Sequence, residues 1–246
     1  MAISHLDRET ASPVLFIVSV LAIQILGIAA MVLTGTWMKH YLGGFAWDGT
    51  GLEFDYHPLC MVISLVFLYS EAMIVFRVFR RENKFVVKLV HFVLQLVAFA
   101  IAVWGLKAVF GFHNHMKYAN LYSLHSWCGL TTVILFGCQV LFGFVSFLFP
   151  KLPGGLRAVY LKVHVFFGVF IFILAIGTCL MGITEELSFL PSSNPYSKLP
   201  APAQVGNTLG ITLVVLAGIV LFVVTNAAFR RVDAEEDRQA FINDGE

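Results

Sequence analysis

Apolar residues run in six long blocks along this chain, at about 13–34, 57–77, 85–110, 124–149, 158–182 and 207–229, with polar and charged residues gathered between them. Each block is close to the roughly 20 residues an α-helix needs to cross a bilayer. Apolar side chains occupy nearly the whole circumference of each helix, so no face is left for water. The pattern predicts an all-α membrane protein: one domain over 1–246, six transmembrane helices and a tail at 230–246. The polar opening MAISHLDRET leads to no convincing cleavage site, so the first block reads as an anchor and not a signal peptide.

Composition agrees. Hydrophobic residues make up 59% of the chain and charged ones 13%, about half of what a soluble domain carries. Mean hydropathy is +0.84. The net charge of +1, with no basic tract, gives no reason to expect nucleic acid. Cys60, Cys128, Cys138 and Cys179 all lie inside apolar blocks without C-x-x-C spacing, as packing residues would.

The cations set an expected orientation. Arg8, Arg77, Arg80, Arg81, Lys84, Lys88, Lys151, Arg157, Lys162, Arg230, Arg231 and Arg238 fall on one side of the six-span arrangement. Lys39, Lys107, Lys117 and Lys198 fall on the other. Positive charge concentrates on the cytoplasmic side, which places both termini in the cytosol. Short cytoplasmic connections make helices two to five an up-and-down four-helix bundle.

Four consecutive helices each carry one histidine. His57 and His125 lie near the non-cytoplasmic ends of helices two and four; His91 and His164 lie about six residues in from the cytoplasmic ends of helices three and five. Each pair joins helices that run the same way and face each other across a bundle diagonal, a common cofactor position. A zinc ion prefers four ligands around one centre, whereas these split two and two, with about 15–20 Å between levels at 1.5 Å per residue. Two imidazoles at each of two levels suit two haems with bis-histidine iron. Ser123 and Ser126 are candidate acceptors for the second ring nitrogen of His125. Two stacked centres point to electron transfer across the membrane. Glu71, inside helix two, has no evident partner.

Lys84 precedes His91 by seven residues and Arg157 precedes His164 by seven, nearly two turns, so each cation shares its ligand's face. Lys88 shares the His91 face and Arg77 approaches from the end of helix two. Four cations are therefore expected above the cytoplasmic centre, for haem propionates and a small anionic reductant. The opposite side offers Phe112, His113, Asn114, His115 and Tyr122 in one loop, His40 in another, and Tyr196 and Lys198 in a third. That chemistry suits an acceptor that hydrogen-bonds or brings a chelated metal ion.

EFDYHPLCMV (53–62), IVFRVFR (74–80), FHNH (112–115), NLYSLHSWCG (120–129) and NPYSKLP (194–200) resemble the eukaryotic cytochrome b561 family, over about residues 15–231. The resemblance implies two b-type haems, cytosolic ascorbate as donor and a homodimer in the lipid bilayer. Its axial ligands would be His57, His91, His125 and His164. Its haem and ascorbate cations would be Arg77, Lys84, Lys88 and Arg157; its haem-contacting loop Asn120, Leu121, Tyr122 and Ser123; further haem-site residues Glu185 and Arg230; its acceptor-side histidines His40 and His113. Phe76 stands where the family usually has tyrosine, Glu71 where it has a small or uncharged residue, and Arg230 where it usually has lysine. HPLCM and HSWCG are similar to the chromaffin-granule type; GGFAWDG and FHNH with ANLYSLHSW are similar to the lysosomal type. The acceptor implied is accordingly monodehydroascorbate or a ferric chelate. The membrane implied is that of a secretory vesicle or a late endosome or lysosome, or the plasma membrane. Two other classes remain open at this point: a histidine-lined metal-ion transporter and a non-catalytic membrane scaffold.

Overall fold

The computed structural model describes residues 13–231; Arg8 and Arg238 lie outside them. It holds six helices long and apolar enough to span a membrane: α1 (Pro13–Tyr41), α2 (Gly51–Val78), α3 (Lys84–Met116), α4 (Leu124–Phe147), α5 (Gly154–Ser188) and α6 (Ala201–Thr225). There is no strand among the described residues. The protein is an all-α membrane protein, as the apolar blocks predict.

Most helices outrun their apolar blocks. α1 continues through Lys39 and His40 to Tyr41, α2 starts at Gly51 and not 57, and α3 extends to Met116. The hydropathy pattern marks where side chains stop preferring lipid, whereas the backbone ladder stops where a cap or a breaker intervenes. Asn83 starts α3 by accepting from the N–H groups of Phe85 and Val86. Lys117 ends it in left-handed backbone, φ 60. Ser123 starts α4 through a capping box with Ser126. Prolines precede α5 and α6 at Pro153 and Pro200. In consequence Phe112–His115, expected in a loop, belong to the last turns of α3.

The connections 79–83 and 148–153 share one face with the end of α6. The longer connections 42–50, 117–123 and 189–200 lie on the opposite face. We call these the basic face and the opposite face. α2 packs on α3, α3 on α4, α4 on α5, and α5 back on α2; α1 and α6 pair with each other and cover α2. Small residues give room at these packings: a Cβ on Gly206 of α6 would meet the Trp37 ring of α1 at 2.8 Å, and one on Gly27 of α1 would meet Phe67 of α2. Two contacts lock this pair to its neighbours. Gln24 of α1 donates to Glu71 Oε1 at 2.7 Å, which supplies the partner Glu71 lacked in the sequence. Arg231 donates to the carbonyls of Phe79 and Glu82 at 3.2 and 2.5 Å, clasping the α2–α3 turn.

One helix is irregular. Residues Val62–Leu68 of α2 form a π-helical segment, the signature of one residue inserted into an α-helix.

Candidate haem and electron-transfer site

The four histidines meet as two pairs at two levels. His57 of α2 faces His125 of α4 with ring centroids 6.2 Å apart and planes at 84°. His91 of α3 faces His164 of α5, again at 6.2 Å, with planes at 70°. Two metal–imidazole bonds of about 2 Å each, plus two half-rings, come to roughly 6 Å. The spacing thus fits one metal ion between the rings of each pair.

Every ring is fixed through Nδ1 by a neighbouring helix. His57 Nδ1 lies 3.1 Å from Gly105 O, His91 Nδ1 2.7 Å from Ala72 O, and His125 Nδ1 2.9 Å from Thr178 O. His164 Nδ1 lies 3.1 Å from Gln139 Oε1, while the same amide donates Nε2 to His164 O at 2.8 Å. A carbonyl oxygen only accepts, so each Nδ1 carries the proton and Nε2 keeps the lone pair for a metal. The expected role of Ser123 and Ser126 is corrected here. Their hydroxyls are engaged in the α4 capping box and, for Ser123, with Glu185, and a carbonyl of α5 takes the His125 proton.

These anchors form a repeat. His57 and His91 each bond a carbonyl on the other's helix, so α2 and α3 exchange contacts; His125 and His164 do the same between α4 and α5. On α3, α4 and α5 the histidine and the anchor for its neighbour are fourteen residues apart: 91 and 105, 125 and 139, 164 and 178. Fourteen residues are close to four turns, which keeps both groups on one face. On α2 the interval from His57 to Ala72 is fifteen, and the π-helical segment between them absorbs the extra residue. Aromatic residues between the levels follow the same rule. Tyr69, Phe99, Phe136 and Phe172, one per helix, pack together with centroids 5.1 to 6.0 Å apart. The Tyr69 hydroxyl donates to Gly168 O of α5 at 3.0 Å.

The donor set fits haem. Each level supplies two neutral imidazoles, and among the described residues no group of three or more His, Cys, Asp or Glu side chains is placed to hold a metal. A bare zinc ion needs about four protein ligands, whereas a porphyrin brings its own four nitrogens. Close approach is built in as well. A Cβ on Gly182 would lie 2.7 Å from His125 Cε1, and one on Gly143 would lie 3.1 Å from His164 Cε1.

On the basic face, Lys84 and Lys88 are half-buried on the α3 turns that precede His91. The other two expected cations are tied to backbone. Arg77 donates to Val224 O of α6. Arg157 is buried and donates to Leu152 O at 3.1 Å. Arg230 is exposed just beyond α6. Phe76 packs on the His91 ring at 5.5 Å, and Tyr160 lies 6.1 Å from the His164 ring.

On the opposite face the α3–α4 turn organises the candidates. Leu121 has φ 56, a left-handed backbone that costs a leucine about 1–2 kcal/mol. The Trp127 indole, donating to Leu121 O at 2.9 Å, holds it there. The turn lays the Tyr122 ring over His113, centroids 6.3 Å apart and planes at 21°. Ser123 Oγ donates to Glu185 Oε2 at 3.0 Å, and Asn120 Nδ2 donates to Asn114 Oδ1 at 2.9 Å. Partial burial, then the hydrogen bond and charge of Glu185, push the Tyr122 phenol up to about 12, so it stays protonated. Phe112 packs between His113 and Tyr118. His40 is exposed in the last turn of α1 and makes none of these contacts. The sequence reading missed the anchors, above all Gln139. Its available signal was an amide in the middle of an apolar block, fourteen residues after a histidine.

The family model of eukaryotic cytochrome b561 matches residues 56–190, the stretch that carries all four histidines and their anchors. The chain belongs to the eukaryotic cytochrome b561 family. It is 45% identical to the transmembrane ascorbate-dependent reductase CYB561 of Sus scrofa over 214 residues, 87% of this chain and 84% of that protein. It is 43% identical to the lysosomal membrane ascorbate-dependent ferrireductase CYB561A3 of Rattus norvegicus over 233 residues, 92% of this chain and 91% of that protein. The corresponding lysosomal protein of Mus musculus is 42% identical over 237 residues. Similarity to both kinds of cytochrome b561 parallels the mixture of motifs in the sequence.

Proposed function

We propose that this cytochrome b561 transfers single electrons from ascorbate at its basic face to an acceptor at the opposite face. Two b-type haems are held between, one by His57 and His125, the other by His91 and His164. The observation that carries this reading is the pair of imidazole sets, each 6.2 Å apart with every Nδ1 satisfied. Bis-imidazole haem iron, when bound, takes up and gives up one electron without changing its protein ligands. The chain's own residues do the rest. The four anchors hold the rings in one tautomer, the apolar helices keep the setting dry, and the midplane aromatics pack the space between levels. Lys84, Lys88, Arg77, Arg157 and Arg230 gather positive charge where propionates and the ascorbate anion would dock. On the opposite face His113, Phe112, Tyr122 and His40 would receive monodehydroascorbate or a ferric chelate, with Asn120, Leu121, Ser123 and Glu185 shaping the haem edge. The excess of Lys and Arg orients the basic face, with both termini, to the cytosol. Relatives named as transmembrane ascorbate-dependent reductase and as lysosomal membrane ascorbate-dependent ferrireductase support ascorbate as donor and, from the second, a lysosomal membrane as the setting; a secretory-vesicle, late-endosomal or plasma membrane would serve the same vectorial transfer. The chain would act as a single-domain protomer of a homodimer.

Vesicles loaded with ascorbate and carrying the purified protein test this directly. Addition of a ferric chelate or of monodehydroascorbate outside should reoxidise the pigment, and the faster acceptor identifies the output. A purified protein without a b-type spectrum would end the reading. Lys84→Ala should slow reduction by ascorbate severalfold and leave complete reduction by dithionite; equal loss with both reductants would mean a structural role.

A further inference from the structure

The two hairpins repeat each other at every anchor but one. At three sites the group receiving the histidine Nδ1 proton is a main-chain carbonyl: Gly105, Ala72 and Thr178. Such an oxygen is already the acceptor of the helix's own ladder and cannot be altered by changing its side chain. At the fourth site it is a side chain. Gln139 of α4 occupies the place that Ala72 holds on α2, and it grips His164 twice. Oε1 receives the ring proton at 3.1 Å and Nε2 donates to the His164 carbonyl at 2.8 Å. The second bond fixes the amide's orientation, because only the NH₂ end can donate to a carbonyl, so the oxygen must face the ring. Donation through one end of the amide also polarises the other end, strengthening it as an acceptor.

We propose that Gln139 is a positioning residue that sets the electron-donating strength of the His164 imidazole, and with it the reduction potential of the basic-face centre separately from the other. This rests on the two-haem reading above. An acceptor on Nδ1–H pushes electron density to Nε2, making the ring a better donor to its metal. A stronger donor favours the ferric over the ferrous state and lowers the potential. The basic-face centre has one adjustable anchor and one fixed one, at Gln139 and Ala72. The opposite-face centre has two fixed ones, at Gly105 and Thr178. The fold thereby carries a means of separating two centres that its internal repeat would otherwise make alike.

The test is an equilibrium redox titration, followed by absorbance with a haem count, on the full purified chain and on Gln139→Met and Gln139→Glu. Methionine keeps the length of the side chain and removes the strong acceptor; glutamate restores an oxygen at the same reach. We expect two haems per chain throughout. One of the two potentials should move upward in Gln139→Met and return to or below its original value in Gln139→Glu, while the other stays in place. If Gln139→Met sheds pigment, the Gln139→Glu protein still decides, since it must keep both haems and a basic-face potential no higher than the original. The proposal is overturned if neither potential moves in Gln139→Met, if both move together, or if Gln139→Glu fails to reverse the change. Fewer than two haems in the unmodified chain would overturn the two-haem reading instead.

Discussion

The α2–α3 hairpin and the α4–α5 hairpin build the same device by different means. Each places one histidine at each level, and each lets its two helices hold one another's imidazole. The first hairpin relies on main-chain carbonyls alone and includes a π-helical segment to keep Ala72 beneath His91. The second keeps a regular count on both helices and uses one amide, Gln139. Ligand orientation is therefore set by helix register in one hairpin and partly by side-chain identity in the other. A register anchor resists point substitution but depends on the number of residues between ligand and anchor. A side-chain anchor depends on one residue and can be tuned.

The largest test of this contrast removes a ligand. His91→Ala should lose one of two haems, halve the pigment per chain and abolish ascorbate-driven transfer, as measured by haem assay and vesicle kinetics; full pigment would break the pairing outright. Next comes register. Deleting Ile63 from the π-helical segment of α2 should leave a plain α-helix with the fourteen-residue interval of the other three, and both haems should remain. Deleting Leu135 from α4, which lacks such a segment, should turn every later residue of that helix by about 100°, so that both Gln139 and Gly143, which gives the His164 ring its room, leave their places and a larger side chain meets the ring. The His91/His164 level should then lose its haem. Equal tolerance of the two deletions would show that register does not matter. A smaller effect is expected at Gly182→Ala, where the new Cβ would meet His125 at 2.7 Å, an overpacking worth about 1–3 kcal/mol. The opposite-face haem should dissociate more readily in a competition assay, whereas Gly177→Ala, with nothing within 4 Å of its Cβ, should behave as the parent. The smallest is Ser123→Ala, which removes the α4 cap at a cost of about 1 kcal/mol. It should appear as a slightly lower thermal midpoint with both haems still bound.

Different parts of this arrangement were legible to different degrees. The six spans follow from apolar blocks of bilayer length, and the two-and-two sorting of His57, His125, His91 and His164 follows from their distance to the block ends. Helix ends were read short because His40 and the FHNH stretch are polar, yet nothing in either stretch breaks a helix; left-handed backbone at Lys117 ends α3, and Gly43 and Gly44, at φ 107 and 100, follow the end of α1. Ser123 and Ser126 looked like partners for His125 because they are neighbours in sequence. The actual acceptor, Thr178 O, comes from another helix, and a main-chain carbonyl has no signature in the residue it belongs to. Gln139 was visible as a polar residue in an apolar block, but its target was not.

What the sequence determines alone is therefore the class of molecule, the number of spans and the inventory at each depth, since lipid preference and the 1.5 Å rise act along a single helix. Which carbonyl receives which imidazole, that Glu71 pairs with Gln24, and that a fifteen-residue interval on α2 does the work of fourteen elsewhere were decided by tertiary structure. Each depends on how one helix is rotated against another, a quantity that no spacing within a single helix contains.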